Sequence, residues 1–160
     1  MGLLCMAVAK ALGAARVIGI DIVSSRLEFA KKYAATDVFL PPAPSQNESP
    51  MEYSKRCADT MMKEFGLEER GGINTVDVVV DASGAEPSIQ TALHVVKAGG
   101  TLVQVHSTYY PTPSVNAALT LHQLGMGTAD VLIPMTLMLI KEVTIKGSFR
   151  YGVSPVPTYQ

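Results

Sequence analysis

The sequence is poor in cysteine. Cys5 and Cys57 are its two thiols, and they form no CxxC pair. A structural zinc site takes about four ligands, usually in close pairs, so this chain offers none. Two distant cysteines read as small buried thiols in a reducing compartment. An excess of charge is also lacking. Formal net charge is −1, which excludes the basic footprint that nucleic acid or an anionic membrane surface requires. A long apolar run is lacking too: "VLIPMTLMLI" (131–140) is too short to span a bilayer and contains Pro134. The apolar start has no basic n-region, and Lys10 interrupts it, so it is not a signal peptide. A soluble, cytoplasmic protein with no membrane and no nucleic-acid partner is the expectation. What is present is ordinary: 48 % hydrophobic and 17 % charged residues over 160 positions, enough for one domain with a core.

Helical and extended patterns alternate along the chain. Gly2 to Leu12 is apolar on most faces, which suggests a helix buried on two sides, with Gly13 as its stop. "RVIGID" (16–21) reads as a buried parallel strand. Ser24 and Ser25 are candidate N-caps for "SSRLEFAKKYA". "DVFL" (37–40) is a short strand and "PPAPSQNESP" (41–50) a loop. "MEYSKRCADTMMKEFG" (51–66) is an amphipathic helix, and "ERGGIN" a turn. "VDVVVDAS" (76–83) is the strongest strand signal. "EPSIQTALHVVKAGG" (86–100) has Pro87 in its first turn and glycines past its end. "TLVQV" (101–105) and "KEVTIKGSF" (141–149) complete the strands. Alternation of this kind argues for an α/β, doubly wound parallel sheet. Residues 106–124 break the rhythm, with no Asp, Glu, Lys or Arg in 19 positions; an uncharged loop of that length is unusual in a compact domain.

The chemistry-bearing residues sit at strand ends. Asp21 follows Gly2 by 19 positions and closes a strand. In a dinucleotide-binding βαβ unit the last glycine of G-x-G-x-x-G lets helix and strand pack closely, and an acid about 20 positions on receives the adenosine ribose. A carboxylate there repels a 2′-phosphate and favours NAD over NADP. A strand-end Asp that merely caps the next helix, or one that holds the ribose of S-adenosylmethionine in a methyltransferase, has the same spacing. Arg26 could lie over the adenine or be a solvated helix charge. In "DASGAEPS" (81–88), small residues after a strand let a ligand approach the backbone, which puts Ser83 and Gly84 at the cleft of an open α/β sheet. A hydrolase triad of Asp81, Ser83 and His94 is disfavoured, because no G-x-S-x-G elbow is present and His94 lies within a helix. "GMG" (125–127) and "SFRYG" (148–152) are weaker signals near the last two strands. His106 and His122 have no carboxylate or thiolate beside them and read as incidental.

Taken together, "GLLCMAVAKALGAARVIGIDIVSSRLEFAKKYAATDVF", "VDVVVDASGAEPSIQTALHVVKAGGTLVQV" and "GMGTADVLIPMTLMLIKEVTIKGSFRYG" resemble the coenzyme domain of zinc-dependent medium-chain dehydrogenases. The resemblance is strongest to the polyol branch: xylitol, sorbitol and L-arabinitol dehydrogenases, the xylitol enzymes nearest. It covers most of the chain apart from the ends and residues 106–124. It implies an NAD-dependent oxidation of a secondary alcohol of a sugar alcohol to a ketose, by a homo-oligomer. It implies that Gly2 is the last glycine of the pyrophosphate turn and that Asp21 holds the ribose, with Ile22 and Arg26 beside the adenine. Ser83 and Gly84 would line the adenosine side. Val105, Gly125 and Met126 would approach the nicotinamide, and Phe149 and Arg150 would close the far side.

The sequence departs from that family in three ways. The strand and "GxGPV" turn that precede the last glycine are not in it. Nor is the catalytic domain with its Cys, His and acidic zinc ligands, so no catalytic residue is assigned and the chain alone is expected to be inactive. Deleting 106–124 gives "GGTLVQVGMGTADV", which runs smoothly on the family pattern; that segment is expected to be a retained intron translated in frame or a lineage-specific loop. The expected organisation is an incomplete Rossmann domain at 1–152, lacking its first, central strand, and a tail at 153–160. Besides a dehydrogenase fragment, a stand-alone nucleotide- or partner-binding module or an inactive gene-model fragment stays open.

Overall fold

A computed structural model describes residues 1–106 and 131–149; most of the 106–124 segment and the 153–160 tail lie outside them. Helices and strands alternate as α1 (Gly2–Ala11), β1 (Ile18–Ile20), α2 (Ser24–Tyr33), β2 (Asp37–Phe39), α3 (Pro50–Phe65), β3 (Val76–Asp81), α4 (Glu86–Val95), β4 (Val96–His106), α5 (Met135–Ile140) and β5 (Thr144–Phe149). Every strand pair is parallel. The strands fall into two sheets, β1–β2 and β3–β4–β5. This is the Rossmann-type α/β arrangement, and it divides where expected. In the order 3-2-1-4-5-6 the first strand stands between the second and the fourth; among the described residues no ladder joins β1 to β3.

Local chemistry sets the element ends. Oδ1 of Asp21 accepts the Val23 N–H at 2.9 Å, so α2 starts at Ser24 with Val23 as its N-cap. Ser24 and Ser25 therefore lie inside the first turn and do not cap it, contrary to expectation. At α3, Ser49 and Glu52 form a capping box, Pro50 occupies the first turn and Gly66 ends the helix at φ 62°. The α4 helix stops at Val95 instead of running on to the glycines. Val96 is already extended (φ −59°, ψ 137°), which suits a β-branched pair that is stiff in a helix. The next amides are taken by tertiary partners: Ala98 N–H by Glu69 O at 3.0 Å and Gly99 N–H by Lys141 O at 2.7 Å.

Two apolar clusters hold the layers. In the first, Phe39, Ala58, Met61, Leu67 and Val95 are buried, with Ile18, Met62, Phe65 and Val76 packed against them. This cluster takes side chains from β1, β2, α3, α4 and β3, so it spans both sheets. Arg16 reinforces it: Nε donates to Asp37 Oδ2 at 2.8 Å, Nη1 donates to Phe65 O at 3.1 Å, and the guanidinium lies 5.2 Å from the Phe65 ring centroid. The same hydrogen bond holds the Asp37 carboxyl below its usual range. The second cluster packs Ala92 and Leu93 of α4 on Leu102 of β4, with Val79, Ile133, Met138 and Val143 around them. Between α3 and α4, the fully buried Ser54 hydroxyl donates to Gln90 Oε1 at 2.9 Å, and Gln90 Nε2 donates to Leu132 O at 2.7 Å.

The expectation of a helix buried on two sides fails for α1, which has no buried residue. Leu4, Val8 and Leu12 are 60, 56 and 83 % exposed. Val78 and Val80 of β3 are exposed as well. Both faces flank the division between the sheets, and nothing among the described residues covers them. No helix among those residues is long and apolar enough to cross a membrane.

Two outcomes are expected. Gln90→Leu leaves the Leu132 carbonyl without its donor and lowers stability by about 1–3 kcal/mol, read from the urea midpoint. Glu48, gripped by Arg56 Nε and Nη2 at 2.7 and 2.6 Å, is held at about 2 chiefly by that hydrogen bonding. A depressed carboxylate supports the fold above its unperturbed value of 4.5, and that support is lost as pH falls toward 2. In Arg56→Met, an NMR titration should find Glu48 moved up toward 4.5.

Candidate cofactor-binding site

In a parallel α/β sheet ligands bind beyond the carboxyl ends of the strands. Asp21 immediately follows β1, with its side chain 30 % exposed. One oxygen fixes the start of α2 through Val23, and Oδ2 lies 3.6 Å from Arg26 Nη1. Arg26 is otherwise open to solvent, so this pair adds little to stability. Ile22 is 79 % exposed. Asp21, Ile22 and Arg26 thus form one accessible group with a free acceptor edge.

Gly2 opens α1, but a Cβ built there would meet nothing within 4 Å. The close helix–strand approach falls instead at Gly19, where a Cβ would come 3.0 Å from Met6 Sδ. Met6 of α1 lies over Gly19 of β1 at this point.

A second group gathers at the ends of β3, β4 and β5. Gly84 is buried with φ +69°, a left-handed conformation that favours glycine, and its N–H donates to Asp81 Oδ2 at 2.9 Å. Ser83 is exposed, but its hydroxyl donates to Asp81 Oδ1 at 2.7 Å. Register places Asp81 beside Gln104, Val105 beside Ser148, and His106 beside Phe149. Val105 is half-buried. The structure thus brings Ser83, Gly84, Val105 and the backbone of Phe149 to neighbouring strand ends. Gly125, Met126 and Arg150, with His122, lie outside the described residues.

Sequence reasoning passed over Asp81, Ser88 and Gln104 as members of this group. An acid that ends an apolar strand and is followed by Ser-Gly was the available signal. The triad arrangement does not form. His94 lies at the other end of α4, half-buried, and its Nε2 meets no hydrogen-bond partner among the described residues. Its carbonyl accepts from the buried Lys141 Nζ at 2.7 Å. Burial, and then the Lys141 charge, push the imidazole below its usual range. Burial likewise pushes the Lys141 ammonium down, and Glu69, 3.6 Å away, opposes that shift. Among the described residues no three His, Cys, Asp or Glu side chains come together in a way that would hold a metal ion, so these residues do not fit a catalytic zinc.

The parallel strands and crossover helices define a Rossmann-type α/β protein. The profile of the family described as zinc-binding dehydrogenase matches residues 1–159, and the chain belongs to that family. It is 44 % identical over 152 residues to "Probable D-xylulose reductase A" of Aspergillus fumigatus, covering 95 % of this chain and 34 % of that protein. It is 41 % identical over the same length to D-xylulose reductase A of Aspergillus niger, with the same coverage of both proteins. Among solved structures, L-idonate 5-dehydrogenase of Escherichia coli aligns with a TM-score of 0.60 and 28 % identity, over 92 % of this chain and 32 % of that one. The chain spans about a third of the length of the relatives it matches.

The left-handed turn gives a direct test. Gly84→Ala should cost about 1–2 kcal/mol from backbone strain alone, measured as a lower denaturation midpoint with the slope unchanged.

Proposed function

We propose that this chain supplies the coenzyme-positioning part of an NAD-dependent, zinc-containing polyol dehydrogenase that oxidises a secondary alcohol of a xylitol- or sorbitol-type substrate to a ketose. The observation that carries the reading is Asp21: a partly exposed carboxylate at the end of β1, beside Arg26, in a chain of the zinc-binding dehydrogenase family. Similarity to D-xylulose reductases supports the polyol class. NAD, when bound, supplies the hydride acceptor. Asp21 holds the adenosine ribose, Ile22 and Arg26 flank the adenine, and Ser83 and Gly84 line the adenosine side. Gly2 marks the pyrophosphate turn. Val105, Gly125 and Met126 face the nicotinamide, and Phe149 and Arg150 close the far side. No chemical step is assigned to this chain, and the zinc ligands of such an enzyme are not among the described residues. The organisation that goes with this reading is a coenzyme domain at 1–152 with an insertion at 106–124. A second reading, a nucleotide- or partner-binding module without catalysis, rests on the bare faces of α1 and β3. Its signature is NAD binding without turnover.

The split sheet bears on affinity. Ladder groups left unpaired cost about 1–3 kcal/mol each when buried, against a domain stability of about 5–15 kcal/mol. Calorimetric titration of this chain should find NAD binding weaker than micromolar. NADP should bind about tenfold more weakly still, since roughly 1.4 kcal/mol of charge repulsion is enough for that ratio. Asp21→Ala should erase the difference. Tighter binding of NADP, or of S-adenosylmethionine, would overturn the reading.

A further inference from the structure

The Asp81 carboxylate is 4 % exposed and receives five donors. Oδ1 accepts the Ser83 N–H at 3.3 Å, the Ser83 hydroxyl at 2.7 Å and the Ser88 hydroxyl at 2.7 Å. Oδ2 accepts the Gly84 N–H at 2.9 Å and Gln104 Nε2 at 2.6 Å. These donors come from three places: the loop after β3, the first turn of α4 and the neighbouring strand β4. No cation pairs with Asp81 among the described residues, so dipoles alone satisfy the carboxylate.

A carboxylate has about four lone-pair sites, and five donors occupy them. Asp81 therefore has no acceptor edge left for a ligand, in contrast to Asp21. Its effect is on the backbone. Two successive N–H groups, Ser83 and Gly84, turn inward onto it, and Gly84 takes its left-handed φ of +69° in doing so. The Ser83 hydroxyl is consumed as well, donating to Asp81 and accepting the Ala85 N–H at 3.2 Å. What Ser83 and Gly84 present outward is thus fixed by a residue that does not itself face outward. Through Gln104 the same carboxylate ties this turn to the residue before Val105.

We propose that Asp81 is a positioning residue for the cofactor: it sets the Ser83–Gly84 turn on the adenosine side and locks it to the end of β4. The inference rests on the reading that these strand ends receive NAD. Asp81→Asn keeps the size of the side chain but removes one acceptor oxygen and presents an NH2 to donors. In the full chain this variant should speed amide exchange at Ser83 and Gly84 about tenfold and weaken NAD binding by a similar factor, as expected for a lost charged hydrogen bond. Exchange at Leu93 and Leu102, in the core beneath, should not change. Ser88→Ala removes one donor and should move both readouts in the same direction by a smaller factor, which guards against a folding failure of the Asn variant. If the unsubstituted chain binds NAD and both variants bind it equally well, or if exchange at Ser83 and Gly84 is unchanged, the positioning role is overturned and the functional reading stands. If the unsubstituted chain binds no NAD at all, the functional reading falls and takes this role with it.

Discussion

Everything in this fold depends on how two sheets that share no hydrogen-bond ladder among the described residues stay in register. A β-ladder normally supplies that order through the backbone. Here it comes from side chains of α3: Ala58, Met61 and their neighbours pack at once on Phe39 and Ile18 of one sheet and on Val76 of the other. Arg16 completes the joint by tying Asp37 at the start of β2 to the last carbonyl of α3. Apolar packing is non-directional, whereas a ladder fixes register residue by residue. The geometry of β1–β2 relative to β3–β4–β5 is therefore softer than the geometry within either sheet. The candidate site draws on strand ends from both.

Two strand-end aspartates illustrate how burial assigns roles to identical side chains. Asp21 spends one oxygen on the start of α2 and leaves the other near Arg26, partly in solvent. Asp81 is enclosed and spends both oxygens on the surrounding chain. The first keeps an oxygen partly open to solvent; the second has none to spare. The contrast follows from what comes after each: Ile22 and Val23 carry no side-chain donors, whereas Ser83, Gly84 and Ser88 crowd donors around the acid.

Much of this was legible from the sequence. The division between β1 and β3 followed from the resemblance, whose pattern places a central strand before Gly2 that this sequence does not show, and the parallel α/β class from alternating strand and helix patterns. The strand-end placement of Asp21, Ser83 and Val105 was legible for the same reason. What could not be read were the facts set by tertiary contact. The apolar character of α1 indicates burial, yet exposure depends on whether a neighbour is there to cover Leu4 and Val8. The helical pattern of 86–100 continues through Val95 and Val96, and only the claims of Glu69 and Lys141 on the following amides show why the helix stops there. The helix cap at Ser24 was misread because Asp21 reaches the Val23 amide first. Asp81 was overlooked as a site member because its donors come from positions as distant as Gln104.

The direct passage from α4 into β4 has a mechanical consequence. Val95 ends the helix and Val96 begins the strand with no intervening loop. The first turn of that helix carries Ser88, the far end of that strand carries Gln104, and both close on Asp81. Helix, strand and carboxylate form a ring. The stretch at Ala98 and Gly99, inside the register shift between Val96 and Thr101, is pinned to Glu69 and Lys141. A ring without slack cannot deform at one corner only. A push on α4 from outside would be felt at the Ser83–Gly84 turn.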